Sequence, residues 1–146
     1  MSSHFLLNVN VLIAATWPAH QAHERVQQWL AAHAREGWAT CPLTESAFVR
    51  ITSNPAFSPN ALTVADALDL LRANLGHPSH RFREDDIPFL QSVETFDDRL
   101  VGYRQVSDAY LLERAIHKRS KLATLDRAIL SLLPEKSPHR DRIAVI

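Results

Sequence analysis

Residues 5–15, Phe-Leu-Leu-Asn-Val-Asn-Val-Leu-Ile-Ala-Ala, are apolar except for Asn8 and Asn10. A strand without polar alternation must be covered on both faces, which is the situation of inner strands in a parallel sheet. The run is also too short to cross a bilayer. It reads as a central strand that turns directly into a short helix, and everything else in the chain has to be arranged around it.

The rest of the chain supplies the covering. Ala22, Val26, Trp29, Leu30 and Ala34 recur at helical spacing across 20–36, and Gly37 stands where a helix stops. Residues 38–41 are β-compatible, and Pro42 then opens a helix that runs to Asn54-Pro55. A further helix is expected over 63–74, then a short strand at 80–83 and a small helix near Phe89, within a stretch (81–104) of weak periodicity. Ser107 reads as the N-cap of a helix over 108–118, followed by a strand at 121–125. Asp126 begins one more helix, ending at Leu133-Pro134, and 142–146 reads as a last strand. Such alternation predicts a three-layer α/β/α domain with a mostly parallel central sheet of about five strands, one domain over 1–146.

Charge and cysteine content narrow the function classes. Lys plus Arg and Asp plus Glu both number 16, so no bulk basic character marks a nucleic-acid partner and any RNA site must be local. The single cysteine, Cys41, excludes an intrachain disulfide and fits a reducing cytoplasm. No basic stretch precedes a long apolar run at the N-terminus, so neither a cleaved signal nor a membrane partner is expected.

Ligands of open α/β sheets bind beyond the carboxyl ends of the strands. Polar residues at strand-to-helix junctions are therefore the candidates, and they are Asn8, Glu45, Asp108 and Asp126. Carboxylates converging at one rim repel one another unless a divalent cation neutralises them. Oxygen ligands with several retained waters suit Mg²⁺ (or Mn²⁺), an ion that supports hydrolysis of a phosphodiester. Taken singly, each acid is better explained as a residue favoured at a helix start by the dipole, so spacing alone leaves both readings open.

The order of the four junctions carries more weight. Phe5-Leu-Leu-Asn-Val-Asn-Val-Leu-Ile-Ala resembles the opening strand of the PIN-domain family, normally Leu-Leu-Asp-x-Asn-x-Leu. Cys41-Pro-Leu-Thr-Glu-Ser-Ala-Phe-Val-Arg is similar to its second motif, Gln105-Val-Ser-Asp-Ala-Tyr-Leu to its third and Leu122-Ala-Thr-Leu-Asp-Arg to its fourth. Within the family the chain resembles the VapC-type toxins of bacterial toxin–antitoxin pairs. That resemblance implies a Mg²⁺- or Mn²⁺-dependent endoribonuclease acting on tRNA or ribosomal RNA, often a homodimer, and neutralised by a cognate VapB-like antitoxin. It implies Glu45, Asp108 and Asp126 as catalytic, metal-binding acids, with Asn8 at the fourth such position.

Asn8 departs from the family, whose first motif has aspartate there. An amide lacks the full charge and cannot serve as a carboxylate base, so metal affinity and rate are both expected to fall. The residue is either native, in an impaired nuclease or in a non-catalytic module that binds RNA or an antitoxin, or a replacement that silences a toxic enzyme. Supporting roles are expected for Asn10, bonding a ligand carboxylate or a water or capping the next helix, and for Ser107 and Thr124, orienting metal-bound water or serving in capping and packing. Arg50, Arg104 and Arg127 are candidate contacts for RNA phosphates.

Other signals are bland. His20 and His23, like His77 and His80, are spaced as metal ligands are but lack a third partner and read as surface residues. Trp17, Trp29 and Trp38 read as core or dimer-interface side chains, and Cys41 as buried packing. An unrelated phosphotransfer domain is disfavoured by the lack of a glycine-rich phosphate loop.

Overall fold

The computed structural model describes residues 4–35 and 37–146. Residues 1–3, read above for a leader, and Glu36, the expected end of the second helix, lie outside the described residues. Among the described residues five strands form one sheet in the order β3-β2-β1-β4-β5, all neighbours parallel: β1 Phe5–Leu7, β2 Trp38–Thr40, β3 His80–Phe82, β4 Lys121–Thr124 and β5 Ile143–Val145. Six α-helices among the described residues accompany them: α1 Val9–Thr16, α2 His23–His33, α3 Pro42–Thr52, α4 Val64–Leu75, α5 Phe89–Val93 and α6 Val106–His117.

The alternation of side chains along the inner strands builds the three layers. Leu6 and Leu122 point to a core formed with α5, α6 and the 3-10 segment Arg127–Leu132. Phe5, Leu7 and Ala123, one residue out of step, point to a second core with α1 to α4. Every residue of β1 is buried, as its unbroken apolar run requires. Trp17, Trp29 and Trp38 pack against the second core, and Cys41 is buried in the first.

Four local expectations change. Ser107 is not the N-cap of α6: the helix starts at Val106, because the 3-10 turn Tyr103–Gln105 is already helical and runs straight into it. The segment after Asp126 is 3-10 rather than α, with Asp126 capping it by accepting from the Ala128 amide at 2.9 Å. The second helix begins at His23, since the His20 ring accepts from the Ala22 amide and closes a turn there first. Two further 3-10 segments, Glu94–Arg99 and Pro138–Arg142, occupy stretches whose periodicity was too weak to announce them.

The link from β3 to α5 is clamped by a buried arginine on α6. Arg114 Nη2 meets Asp86 Oδ1 at 2.6 Å and the Glu84 carbonyl at 2.8 Å, while Lys118 reaches Asp86 Oδ2 at 3.0 Å. Hydrogen bonds from Lys118 and Arg114 hold the Asp86 carboxyl down to about 2, from an ordinary 3.8. A depressed folded-state pKa contributes stability that is fully present above the ordinary value and is lost as pH falls through the folded one. Acid titration followed by circular dichroism is thus expected to show a stability loss between about pH 4 and pH 2. Asp86→Asn should flatten that slope, and an unchanged slope would remove Asp86 as its source.

Candidate active site

The chain passes from β1 to β2 and β3 on one side and later returns to β4 on the other, so the strand order reverses between β1 and β4. In open parallel sheets the crevice at such a switch point, beyond the carboxyl ends of the strands, is where ligands are held. Asn8 follows β1 and Asp126 follows β4 at this position.

Asn8 is only 5% exposed. Its amide N–H donates to the Ala123 carbonyl at 2.9 Å, which carries the β1–β4 pairing one residue beyond the strand. Its side-chain Nδ2 then donates to Asp108 Oδ1 at 2.9 Å and to Thr124 Oγ1 at 3.3 Å. Asn10 does not cap α1, and among the described residues it has no hydrogen bond to a carboxylate. It ties α1 to the end of β4 instead, donating to Thr124 Oγ1 at 3.3 Å and accepting from the Leu125 amide at 3.2 Å. Thr124 also accepts from the Asp126 amide at 3.1 Å. One buried hydroxyl therefore sets the positions of Asn8, Asn10 and the Asp126 backbone, a role beyond strand packing.

Asp108 projects from the first turn of α6 and is half-buried. Burial pushes its carboxyl above the usual carboxylate range; the Asn8 hydrogen bond pulls the other way, and the charge of Asp126 raises it further. A carboxylate whose ionised form is disfavoured in the fold costs stability at neutral pH. Asp108→Asn keeps an acceptor for Asn8 and removes that charge, so it should raise the melting temperature slightly in chelator at pH 7. A clear fall would mean that the charge is not a burden.

Glu45 belongs to a different network. From the first turn of α3 it accepts the Thr40 hydroxyl at 2.7 Å, and Thr40 Oγ1 lies 2.7 Å from His80 Nε2. With the only hydroxyl proton given to Glu45, the contact with His80 needs a ring N–H, which selects the Nε2-protonated form. Burial pushes the His80 pKa down against the pull of the Glu45 charge. Glu45 thus stands at the same rim, beyond β2. Among the described residues no hydrogen bond joins it to Asn8, Asp108 or Asp126, and no group of three or more His, Cys, Asp or Glu is gathered to hold a metal.

Two carboxylates, Asp108 and Asp126, remain as oxygen donors at the switch point. They fit an ion such as Mg²⁺, which keeps most of its waters and uses one or two carboxylates. Asn8 offers Asp108 a hydrogen in place of a third negative charge.

Ser107 is exposed in the first turn of α6, and Arg50, Arg104 and Arg127 are exposed. Arg127 adjoins Asp126, Arg104 leads into α6, and Arg50, near the far end of α3, shares a groove with Glu45. Thr40 and His80 are the residues that sequence reasoning missed. The only trace of Thr40 is its position at the strand end five residues before Glu45. His80, read as a surface histidine, is half-buried, as are His20 and His23; His77 alone of the four is exposed. Cys41 has its thiol pushed up by burial, which fits an inert side chain.

No family model matches the chain. Ribonuclease VapC38 of Mycobacterium tuberculosis (strain ATCC 25618 / H37Rv) is 42% identical over 131 residues, covering 90% of this chain and 91% of the relative. Ribonuclease VapC39 of the same species (strain CDC 1551 / Oshkosh) is 37% identical over 124 residues, covering 85% and 89%. Among solved structures, VapBC2 from Rickettsia felis bound to a DNA fragment from its promoter matches with a TM-score of 0.63 at 11% identity, covering 98% of this chain and 97% of that one. A toxin–antitoxin complex from Klebsiella pneumoniae gives 0.63 at 14% identity, covering 97% and 96%. At these identities the two structures speak for the fold.

Proposed function

Because the chain belongs to the VapC ribonuclease family, we propose that it is built as an endoribonuclease, cutting phosphodiester bonds of tRNA or ribosomal RNA with Mg²⁺ or Mn²⁺, and that Asn8 impairs it. The observation that carries this reading is the pairing of Asp108 and Asp126 at the switch-point rim, with Asn8 bonded to Asp108 at 2.9 Å. A divalent ion held by the two aspartates would polarise a phosphoryl oxygen and make a water more acidic.

The chain's own residues account for the remaining work. Thr124 holds the Asp126 backbone, and Asn10 locks the strand end behind it. Glu45, oriented through Thr40, presents an oxygen to accept a proton from the attacking water. Arg50, Arg104 and Arg127 offer guanidinium groups to RNA phosphates. The partners of this reading are a VapB-like antitoxin and a second copy of the chain, in a homodimer. The ribonuclease part draws on the names of the relatives, and the antitoxin on the complexes in which similarly folded chains are found.

A second reading, a non-catalytic module that binds RNA or an antitoxin, draws on the same Asn8 contact, which satisfies Asp108 without a cation. Incubation of Asn8→Asp with total tRNA and rRNA, in Mg²⁺ or Mn²⁺ and in chelator, separates the two. Metal-dependent cleavage about a hundredfold or more above the parent chain is expected, the scale of a lost acid–base group. No cleavage by the restored protein in either metal would overturn the nuclease reading.

A further inference from the structure

Tyr103 is 80% exposed and Val101 is 91% exposed, on the short turn that leads into α6 and so to Asp108 five residues on. An exposed ring on a mobile loop would carry no information, but this turn is pinned. The Gln105 side chain uses both ends of its amide: Oε1 accepts from the Val101 and Gly102 amides at 2.8 and 3.0 Å. Nε2 donates to the Arg99 carbonyl at 3.2 Å and to Ser131 Oγ at 3.3 Å. Arg99 adds a second tie, donating to the Ser131 and Leu133 carbonyls, both at 3.3 Å. Ser131 lies in the 3-10 segment that Asp126 opens. The ring therefore stands on a support fastened to the elements that carry both rim aspartates. Beside it, the Arg104 guanidinium lies 5.7 Å from the ring centroid, and its Nε donates to the Tyr103 hydroxyl at 3.3 Å.

An exposed aromatic ring on a fastened turn, with a guanidinium within cation–π range of it, has the chemistry of a nucleobase platform. Bases stack on aromatic faces whatever their identity, provided they are not already stacked and paired in a helix. We propose that Tyr103 is a substrate-binding residue on which an unpaired base of the RNA strand stacks beside the cleavage site, with Arg104 directed at the adjoining phosphate. The inference rests on the ribonuclease reading above. A protein partner is the competing occupant of the ring. RNA is favoured because the Arg104 guanidinium sits against the Tyr103 ring, so the exposed side chains Val101, Tyr103 and Val106 do not form an all-apolar face.

The test is fluorescence anisotropy of the whole chain with a labelled single-stranded RNA and with the same sequence as a duplex, in chelator so that nothing is cut. Tyr103→Ala is expected to weaken single-strand binding roughly 5- to 150-fold, the loss of one stacked base. Tyr103→Phe and Tyr103→Trp should retain it, and duplex binding should not respond to any of the three. Equal single-strand affinity for the parent and Tyr103→Ala would overturn the platform, leave the nuclease reading standing and give the ring to a protein partner. A parent chain that binds no RNA at all would overturn both.

Discussion

Asn8→Asp is expected to lower the melting temperature of the metal-free protein by roughly 4–10 °C, and millimolar Mg²⁺ or Mn²⁺ should restore it. The size follows from what Asn8 does. Its Nδ2 is a donor to a half-buried carboxylate at 2.9 Å, and a hydrogen bond to a charged group contributes about 1.5–3 kcal/mol. Aspartate in its place offers an acceptor to an acceptor and adds a third negative charge beside Asp108 and Asp126. A cation that binds only the folded form recovers the loss in proportion to the logarithm of its concentration over its Kd. The parent chain, whose amide already satisfies Asp108, should respond much less to the same ions. Differential scanning fluorimetry of both proteins in chelator and in metal checks the result, and equal metal shifts in the two would sink it. The coupling is consistent with an asparagine that keeps the fold intact while leaving the site one charge short.

Arg114→Met should match the parent to within about 1 kcal/mol or exceed it, whereas Arg114→Ala should lose about 3 kcal/mol. Arg114 is 1% exposed, and among the described residues its Nη1 has no hydrogen-bond partner. A buried guanidinium with one nitrogen unsatisfied carries a desolvation cost that its 2.6 Å contact with Asp86 offsets only in part. Methionine keeps the volume and the apolar stem and removes the charge, and Lys118 stays with Asp86. Alanine leaves a cavity against α5 and the link from β3. Urea unfolding of the three proteins decides the matter. A methionine variant as unstable as the alanine one would show that the ion pair itself holds this region.

Legibility in the sequence followed the range of the interactions. The buried strand 5–7, the helix opened by Pro42 and the strand at 121–124 were readable because each is written in local periodicity or in a residue with one backbone habit. Ser107 misled because a good capping residue says nothing of the 3-10 turn before it, which had already begun the helix. Arg114 was illegible because an arginine inside a helix is an ordinary surface residue until a loop from elsewhere closes over it. Thr40 and His80 meet across 40 residues of chain, and no local spacing records such a pair.

For the site the division is the same. Alternating periodicity and four ordered motifs determined by themselves a three-layer parallel α/β fold and the polar residues at its strand ends, since both are properties of short segments. Tertiary structure alone decided what those residues do to one another. It turned the Asn8 amide toward Asp108, made the Thr124 hydroxyl the anchor for three separate donors, and bonded Glu45 to Thr40 and through it to His80, rather than to either of the other two acids. Hydrogen bonds and desolvation act over a few ångströms in space, and 100 residues separate Asn8 from Asp108 along the chain.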